Sequence, residues 1–266
     1  YLMDVQEMLG GGLLSAYVAC HKPYWRCVQP IYRYIEVGTA LHEKPMADML
    51  HDNTGDHISE KNETFCELTG LYWAWKNENC HYLGLCHYRR FFAEKPFGKP
   101  KERILTKATL RRLLQTTDVI LPRKRHYWIE TNYSQYIHAH HAQDLDTTRR
   151  ILAQCWPSYL PAFDRNMAQR SGHRFNMFIM RRELLDQYCT WLFDILFRLE
   201  AELDISGYDP QSRRVFGYVS ERLLDTWLIT NKIPYRELPV VHLEGQNWLK
   251  KGSSFLLRKL RYRREK

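Results

Sequence analysis

No stretch of this sequence stays apolar long enough to cross a bilayer. Runs such as Phe175–Met180 and Phe193–Phe197 are short or interrupted by Asn176 and Asp194, whereas a spanning helix needs roughly 20 apolar residues. Cysteines at metal or redox spacing are also missing. The seven cysteines (20, 27, 66, 80, 86, 155, 189) are odd in number and scattered, with Cys80 and Cys86 too far apart for a CxxC half-site. Buried, reduced thiols in a cytoplasmic protein are therefore expected, not a disulfide framework. Glycine and proline are few, at 13 and 11 of 266 residues, and 44% of the chain is apolar. Disordered, collagen-like and low-complexity classes are excluded. The first 20 residues carry Asp4 and Glu7 ahead of Gly10-Gly11-Gly12, without the basic region and cleavage pattern of a secretory leader.

Walker A, GxGxxG, GxSxG, HExxH and protein-kinase motifs are absent. Gly10-Gly11-Gly12 precedes the first apolar strand, the wrong side for a phosphate loop. Nucleic-acid binding is not expected either. Of the formal charge of +9, residues 250–266 supply +7 through eight Lys/Arg against Glu265, leaving +2 for the body. A near-neutral body argues against a broad nucleic-acid face.

What is present reads as strands alternating with helices. Strands are expected at Leu13–Cys20, His81–Cys86, Asp118–Leu121, Phe175–Met180 and Tyr235–Leu243. Helices are expected at Asn62–Asn77, in a short basic segment capped by Thr106, at Ser134–Gln154, along the 3.6-spaced apolar set from Leu184 to Leu203, and at Val215–Thr230. This alternation predicts an α/β domain with a mostly parallel sheet flanked by helices on both faces. No internal repeat or Gly/Ser linker divides it, so one domain over 13–249 and a basic tail over 250–266 are expected.

The densest chemistry lies at Tyr82–Phe92, where a strand delivers His87, Tyr88, Arg89 and Arg90 at its carboxyl end, the ligand edge of open α/β sheets. Adjacent guanidiniums repel unless an anion offsets them, and arginine's planar fork suits phosphate oxygens. The implied ligand is a diphosphate; either arginine alone would read equally as a salt bridge to a helix. Asp52-Asn53-Thr54-Gly55-Asp56 has its glycine fourth, not sixth as an EF-hand loop requires. It reads as a nucleoside-contacting turn or as a plain Asx turn. His138, His140 and His141 near Asp144 and Asp146 place His140 and Asp144 on one predicted helical face, as a metal pair or as ordinary polar surface. Asp144-Leu145-Asp146 spells DxD, but within a helix its carboxylates diverge by about 200°. The eight Trp and seventeen Tyr fit a sugar-binding cleft or an aromatic core equally.

Several blocks together carry a resemblance. They are Asp52–Ser59, Glu67–Asn77, Tyr82–Phe92, Asn176–Met180, Gly217–Leu223 and Gln246–Gly252. In order, over roughly residues 15–260, the sequence resembles a bacterial family of capsular and exopolysaccharide glycosyltransferases, whereas residues 1–12 depart from its pattern. The resemblance implies a GT-A-like fold and inverting transfer of a sugar, galactofuranose, from a UDP-sugar to a lipid-linked oligosaccharide. It implies donor contacts from His21, Lys22, Asp52, Asn53, His87, Tyr88, Arg89 and Arg90, and acceptor contacts from Asn176 and Trp248. No metal ligand and no obligatory cofactor are expected, because guanidiniums can stabilise the charge on departing UDP; Mn²⁺ or Mg²⁺ is the alternative. Inversion needs a carboxylate base. Glu221 comes first, at an expected helix start after Val219-Ser220 facing the cleft, with an ion pair to Arg222 or Arg89 as the other reading. Asp144 and Asp56 follow. Other readings are a non-catalytic sugar-binding module and a phosphate-processing hydrolase using the arginine pair. The tail, with Phe255, Leu256 and Leu260 among cations, reads as an amphipathic helix for an anionic membrane surface, or as one docked on the body. The expected location is cytoplasmic, peripheral at the inner face of the cell membrane.

Overall fold

The structure, a computed structural model, describes residues 14–244. Trp248 and the basic tail over 250–266, with its expected amphipathic helix, lie outside the described residues. All seven residues of β1 (Leu14–Cys20) are buried, and side-chain alternation sends Tyr17 and Ala19 to one face and Ala16, Val18 and Cys20 to the other. A strand covered on both faces belongs inside a parallel sheet. β1 accordingly lies between β2 (Tyr32–Glu36) and β4 (Tyr82–His87), parallel to both. β3 (Leu50–His51) extends the sheet beyond β2, and β9 (Phe178–Arg181), β6 (Val119–Pro122) and β10 (Arg236–Leu238) extend it beyond β4. Along the path β10-β6-β9-β4-β1-β2-β3 only β9 runs antiparallel to its neighbours. β5 (Arg90–Phe92) folds back on β4 and pairs with β11 (Val240–His242); β7 (Arg125–His126) and β8 (Ser171–Gly172) form a separate ribbon. Gly84 sits where β4 and β9 approach most closely. A Cβ there would lie 2.8 Å from Ile179 Cγ1 and 3.0 Å from the Phe178 carbonyl oxygen.

Helices cover both faces, as the alternation implied. One face packs under α2 (Leu68–Asn77), α5 (Ala142–Cys155), α6 (Leu160–Ala168), α7 (Arg182–Glu202) and α8 (Val215–Asn231). The other packs against α3 (Lys107–Leu114), whose first turn is capped by Thr106 accepting from the Thr109 N–H. α7 buries Leu185, Tyr188, Cys189, Leu192, Leu196 and Leu199 on one stripe, at about 1.5–3 kcal/mol for each large apolar side chain. No helix among the described residues is long and apolar enough to cross a membrane.

β2, β3, β5, β7, β8 and α6 were not expected, and the expected elements are altered at four points. The helix over 62–77 is two, α1 (Asn62–Phe65) and α2, because Cys66 takes φ 54° and ψ −132°. The helix over 134–154 is also two, α4 (Asn132–Ile137) and α5, with His138–His141 between them, so His140 and Asp144 share no helical face. The late strand breaks at Pro239, which has no N–H to donate, and the chain passes there from β6 to β5. β9 starts at Phe178, because Phe175 and Asn176 have φ 78° and 50°. The expectation of buried thiols fails at Cys155, which is exposed, and at half-buried Cys27.

Candidate functional site

The parallel strands of the sheet all end at one edge, and there a cleft of about 910 Å³ opens, where open α/β sheets bind ligands. β1 brings Ala19 and the following His21, β2 leads to Val37, and β4 with its turn brings His87, Tyr88, Arg89 and Arg90. Because β9 runs the opposite way, its approach enters at this same edge and adds Arg174 and Phe175. The first turns of α8 contribute Gly217, Tyr218, Glu221 and Arg222, and the α1–α2 break contributes Cys66 and Glu67.

Backbone conformations that cost about 1–3 kcal/mol each concentrate here. Cys66, Phe175 and Asn176 are three of the six described non-glycine residues with positive φ. Hydrogen bonds lock them together. Asn176 Nδ2 donates to Glu67 Oε1 at 2.7 Å and to the Gly217 carbonyl at 3.0 Å. The Phe175 N–H donates to Glu221 Oε1 at 3.1 Å, and His87 Nε2 donates to the Phe175 carbonyl at 2.5 Å. Glu221 Oε2 accepts from Arg222 Nη1 at 3.1 Å. Among the described residues, Glu67 Oε2 has no hydrogen-bond partner, so one carboxylate oxygen is held and the other is unspent.

The electrostatics are cationic. Seven arginines line the cleft against Glu63, Glu67 and Glu221. Arg89 pairs with Glu244 at 2.7 Å, and buried Arg174 is held by the Tyr127 hydroxyl and Asn132 Oδ1. Arg90, Arg125, Arg213 and Arg214 have no carboxylate within 4 Å among the described residues. Instead, Arg90 lies over the Phe175 ring at 4.6 Å and Arg214 Nε donates to Cys66 Sγ at 3.1 Å. Burial and the adjacent Arg89 charge hold the Arg90 guanidinium below its ordinary pKa. Partial burial, then Arg89, Lys22 and Arg214, hold His21 below the usual imidazole value. Burial and the neighbouring Glu67 push the Cys66 thiol up to about 12, so it is no thiolate nucleophile near neutral pH. A pocket of unpaired guanidiniums with little negative charge is arranged to take an anion with several oxygens.

Residues 15–232 match a family described as a domain of unknown function (DUF4422). The chain belongs to this family. Among solved structures, this DUF4422 chain is similar to one described as the apo structure of the WbbM bifunctional glycosyltransferase, at 30% identity and a TM-score of 0.81. The match covers 87% of this chain and 45% of that chain, so the DUF4422 chain spans less than half of its length. No curated protein matches it.

Of the residues singled out from the sequence, the DUF4422 fold brings His21, His87, Tyr88, Arg89, Arg90 and Glu221 together on the cleft. The others stand elsewhere. Glu221 itself is in the second turn of α8, which starts at Val215 and not near Ser220. Lys22 is exposed beside the cleft, with Nζ 5.8 Å from the Tyr88 ring centre. Asp52 is fully buried and accepts from the Gly38 and Thr39 N–H groups and the Ser59 and Thr69 hydroxyls. It organises the loop after β2 and has no oxygen to spare for a nucleoside; its neighbour Asn53 is also outside the cleft lining. Asp144 is buried under the Tyr136 and Tyr208 hydroxyls, at 2.7 and 2.5 Å, and burial raises its pKa. It faces no cleft. Asp56, exposed, accepts from Tyr72 at 3.1 Å, likewise away from the cleft. Asn176 is buried outside the cleft lining, and its Nδ2 donates to Glu67 and Gly217, so it positions a carboxylate. His140 stacks on Tyr218 and His141 on Tyr208. Among the described residues no three His, Cys, Asp or Glu side chains form a metal-binding group. Arg222 does make the ion pair with Glu221 that the sequence offered as its other reading, at 3.1 Å, but Glu67, Arg174, Arg213 and Arg214 were not foreseen in the cleft. Glu67 heads the Glu67–Asn77 segment, but an expected unbroken helix over 62–77 hid its place at the cleft.

Proposed function

We propose that the cleft binds a nucleoside-diphosphate sugar, with UDP as the nucleotide, and transfers the sugar to an acceptor hydroxyl. What carries this reading is the set of unpaired arginines at the strand ends, in a fold shared with a protein described as a glycosyltransferase. Arg90, Arg213 and Arg214 take the diphosphate oxygens and stabilise the charge that builds as UDP departs. In an inverting displacement the acceptor oxygen forms a bond to the anomeric carbon from the face opposite UDP. The bond to the UDP oxygen breaks with its electron pair staying on UDP, and the acceptor proton passes to a carboxylate. Glu67 suits that last role better than Glu221: its Oε2 is unspent, whereas both oxygens of Glu221 accept protein hydrogen bonds. Glu221 then fixes the Phe175 N–H and Arg222, holding the wall of the cleft.

Galactofuranose as the donor sugar, a lipid-linked oligosaccharide as acceptor, a GT-A-like domain over 13–249, and attachment of the 250–266 tail to an anionic membrane face come from the sequence resemblance and charge pattern. They are part of the same proposal. So is catalysis without an obligatory metal. Thermal unfolding with UDP, GDP, CMP and dTDP, each with and without Mn²⁺, tests the nucleotide. UDP alone should stabilise the protein, by about 2.7 kcal/mol at a hundred times its dissociation constant. Transfer from UDP-galactofuranose should survive EDTA and fall about 10²–10³-fold in Arg90→Lys. The reading fails if no nucleotide shifts the transition, or if Arg90→Lys transfers normally.

A further inference from the structure

Trp128 and Ile129 are 83% and 58% exposed, on the segment between β7 and α4. Isolated exposed apolar residues are ordinary; these two are not isolated, and they are not loosely held. On the β7 side, the Tyr127 N–H donates to the Arg170 carbonyl at 2.8 Å, and Arg125 and His126 pair with Gly172 and Ser171. On the α4 side, Thr131 and Ser134 form a reciprocal capping box. Between these anchors Trp128 sits at φ 55°, its carbonyl accepting from Arg170 Nη1 at 3.2 Å, and the Ile129 N–H turns back to the Tyr127 carbonyl at 2.6 Å. The fold thus presents an indole and a sec-butyl group outward on a braced tip.

The same edge is cationic. Arg123, Lys124 and Arg125 lead into the tip along the chain and Arg170 contacts it, and none of the four has a carboxylate within 4 Å among the described residues. The nearby acids are already engaged, Glu130 with His138 and Glu237 with His173. Lys124 lies 5.9 Å from the ring of part-exposed Tyr235, which widens the aromatic part of the patch. Arg125 and Tyr127 also line the cleft, so this edge is its rim.

We propose that this rim is a docking surface for an anionic lipid bilayer, with Trp128 and Ile129 inserted at the headgroup level and the four cations over lipid phosphates. Indoles favour the membrane interface and an aliphatic neighbour favours the acyl boundary, whereas a nucleic-acid platform would use stacking rings with no place for Ile129. Each cation near an anionic surface strengthens binding about fivefold. Docking here sets the cleft mouth against the membrane, and it stands whether or not the cleft transfers a sugar. It is separate from any attachment through the 250–266 tail.

The full chain should co-sediment with phosphatidylserine-containing vesicles and not with phosphatidylcholine vesicles, and should release as salt rises. Trp128→Ser/Ile129→Ser and Arg123→Glu/Lys124→Glu should each weaken that binding at least tenfold, leaving only what the 250–266 tail holds. Both variants should keep the wild-type melting temperature and UDP affinity, since none of these residues lines the cleft. Brominated lipids should quench part of the tryptophan emission of the wild type, and that part should be missing in Trp128→Phe. Equal vesicle binding by the Trp128/Ile129 variant, quenching unchanged in Trp128→Phe, or binding to single-stranded RNA but not to vesicles would each overturn the proposal.

Discussion

Of the three glutamates that line the cleft, Glu67 and Glu221 are held by protein hydrogen bonds, and these bonds separate their roles. Glu67 keeps one oxygen unspent while Asn176 holds the other; Glu221 has an acceptor bond on each oxygen. Glu67→Gln should therefore lower turnover by about 10²–10⁴-fold, the usual worth of a general base, with UDP affinity unchanged. Glu221→Gln should instead raise the Michaelis constant and lower the melting temperature, because it loosens Phe175 and Arg222. Steady-state kinetics beside UDP titrations separate the two, and a Glu67→Gln enzyme with normal turnover would return the base role to Glu221. At this scale the sequence was legible where cleft-lining residues are consecutive in the chain. His87–Arg90 are together in the chain and together in the cleft. It was illegible where a partner comes from far along the chain. Nothing near Asp144 announces Tyr208, 64 residues away, and nothing near Asp52 shows that four donors converge on it.

Elements were legible where periodicity ran long, as in α7 and α8, and misread where a short interruption did the positioning. The break at Cys66 has no glycine or proline to mark it, only a positive φ held by Asn62 Nδ2 donating to the Cys66 carbonyl at 2.7 Å. An unbroken helix would carry Glu67 away from Asn176. A second unforeseen device ties α8 to the segment ahead of β9. Fully buried His173 faces Asp225 through Nδ1 and Glu237 through Nε2, and Asp225 also accepts the His173 N–H at 2.9 Å. Burial works against the Asp225 charge, but the bonds and charge from His173, with Arg174, prevail and hold its carboxyl below the ordinary range. A carboxyl lowered on folding contributes stability that is full above its unfolded value, about 3.9. That contribution is lost as pH falls through the lower folded value. Asp225→Asn should cost about 3–5 kcal/mol near neutral pH, as expected when one partner of a buried pair is removed. Its denaturation curves should converge on those of the wild type in strong acid; a neutral-pH loss below 1 kcal/mol would remove the pair from the stability of the fold.

Across the whole molecule, alternating strands and helices sufficed to foretell a mostly parallel sheet covered on both faces, but not that β9 enters it backwards. Direction depends on whether a crossover lands at the near or far edge, and local composition carries no record of that. The insertion has a consequence for synthesis. β4 is complete at residue 87, but its neighbour β9 begins at residue 178, so about 90 further residues must leave the ribosome before the β4 edge is covered. During that interval a buried-type strand exposes unpaired N–H and C=O groups, which template pairing with other chains. Nascent chains stalled near residue 168 should therefore be held by chaperones or aggregate, and chains stalled after the sheet is complete should resist protease. Equal protease resistance at both lengths would mean that β1, β2 and β4 form a stable half-sheet without their central partner.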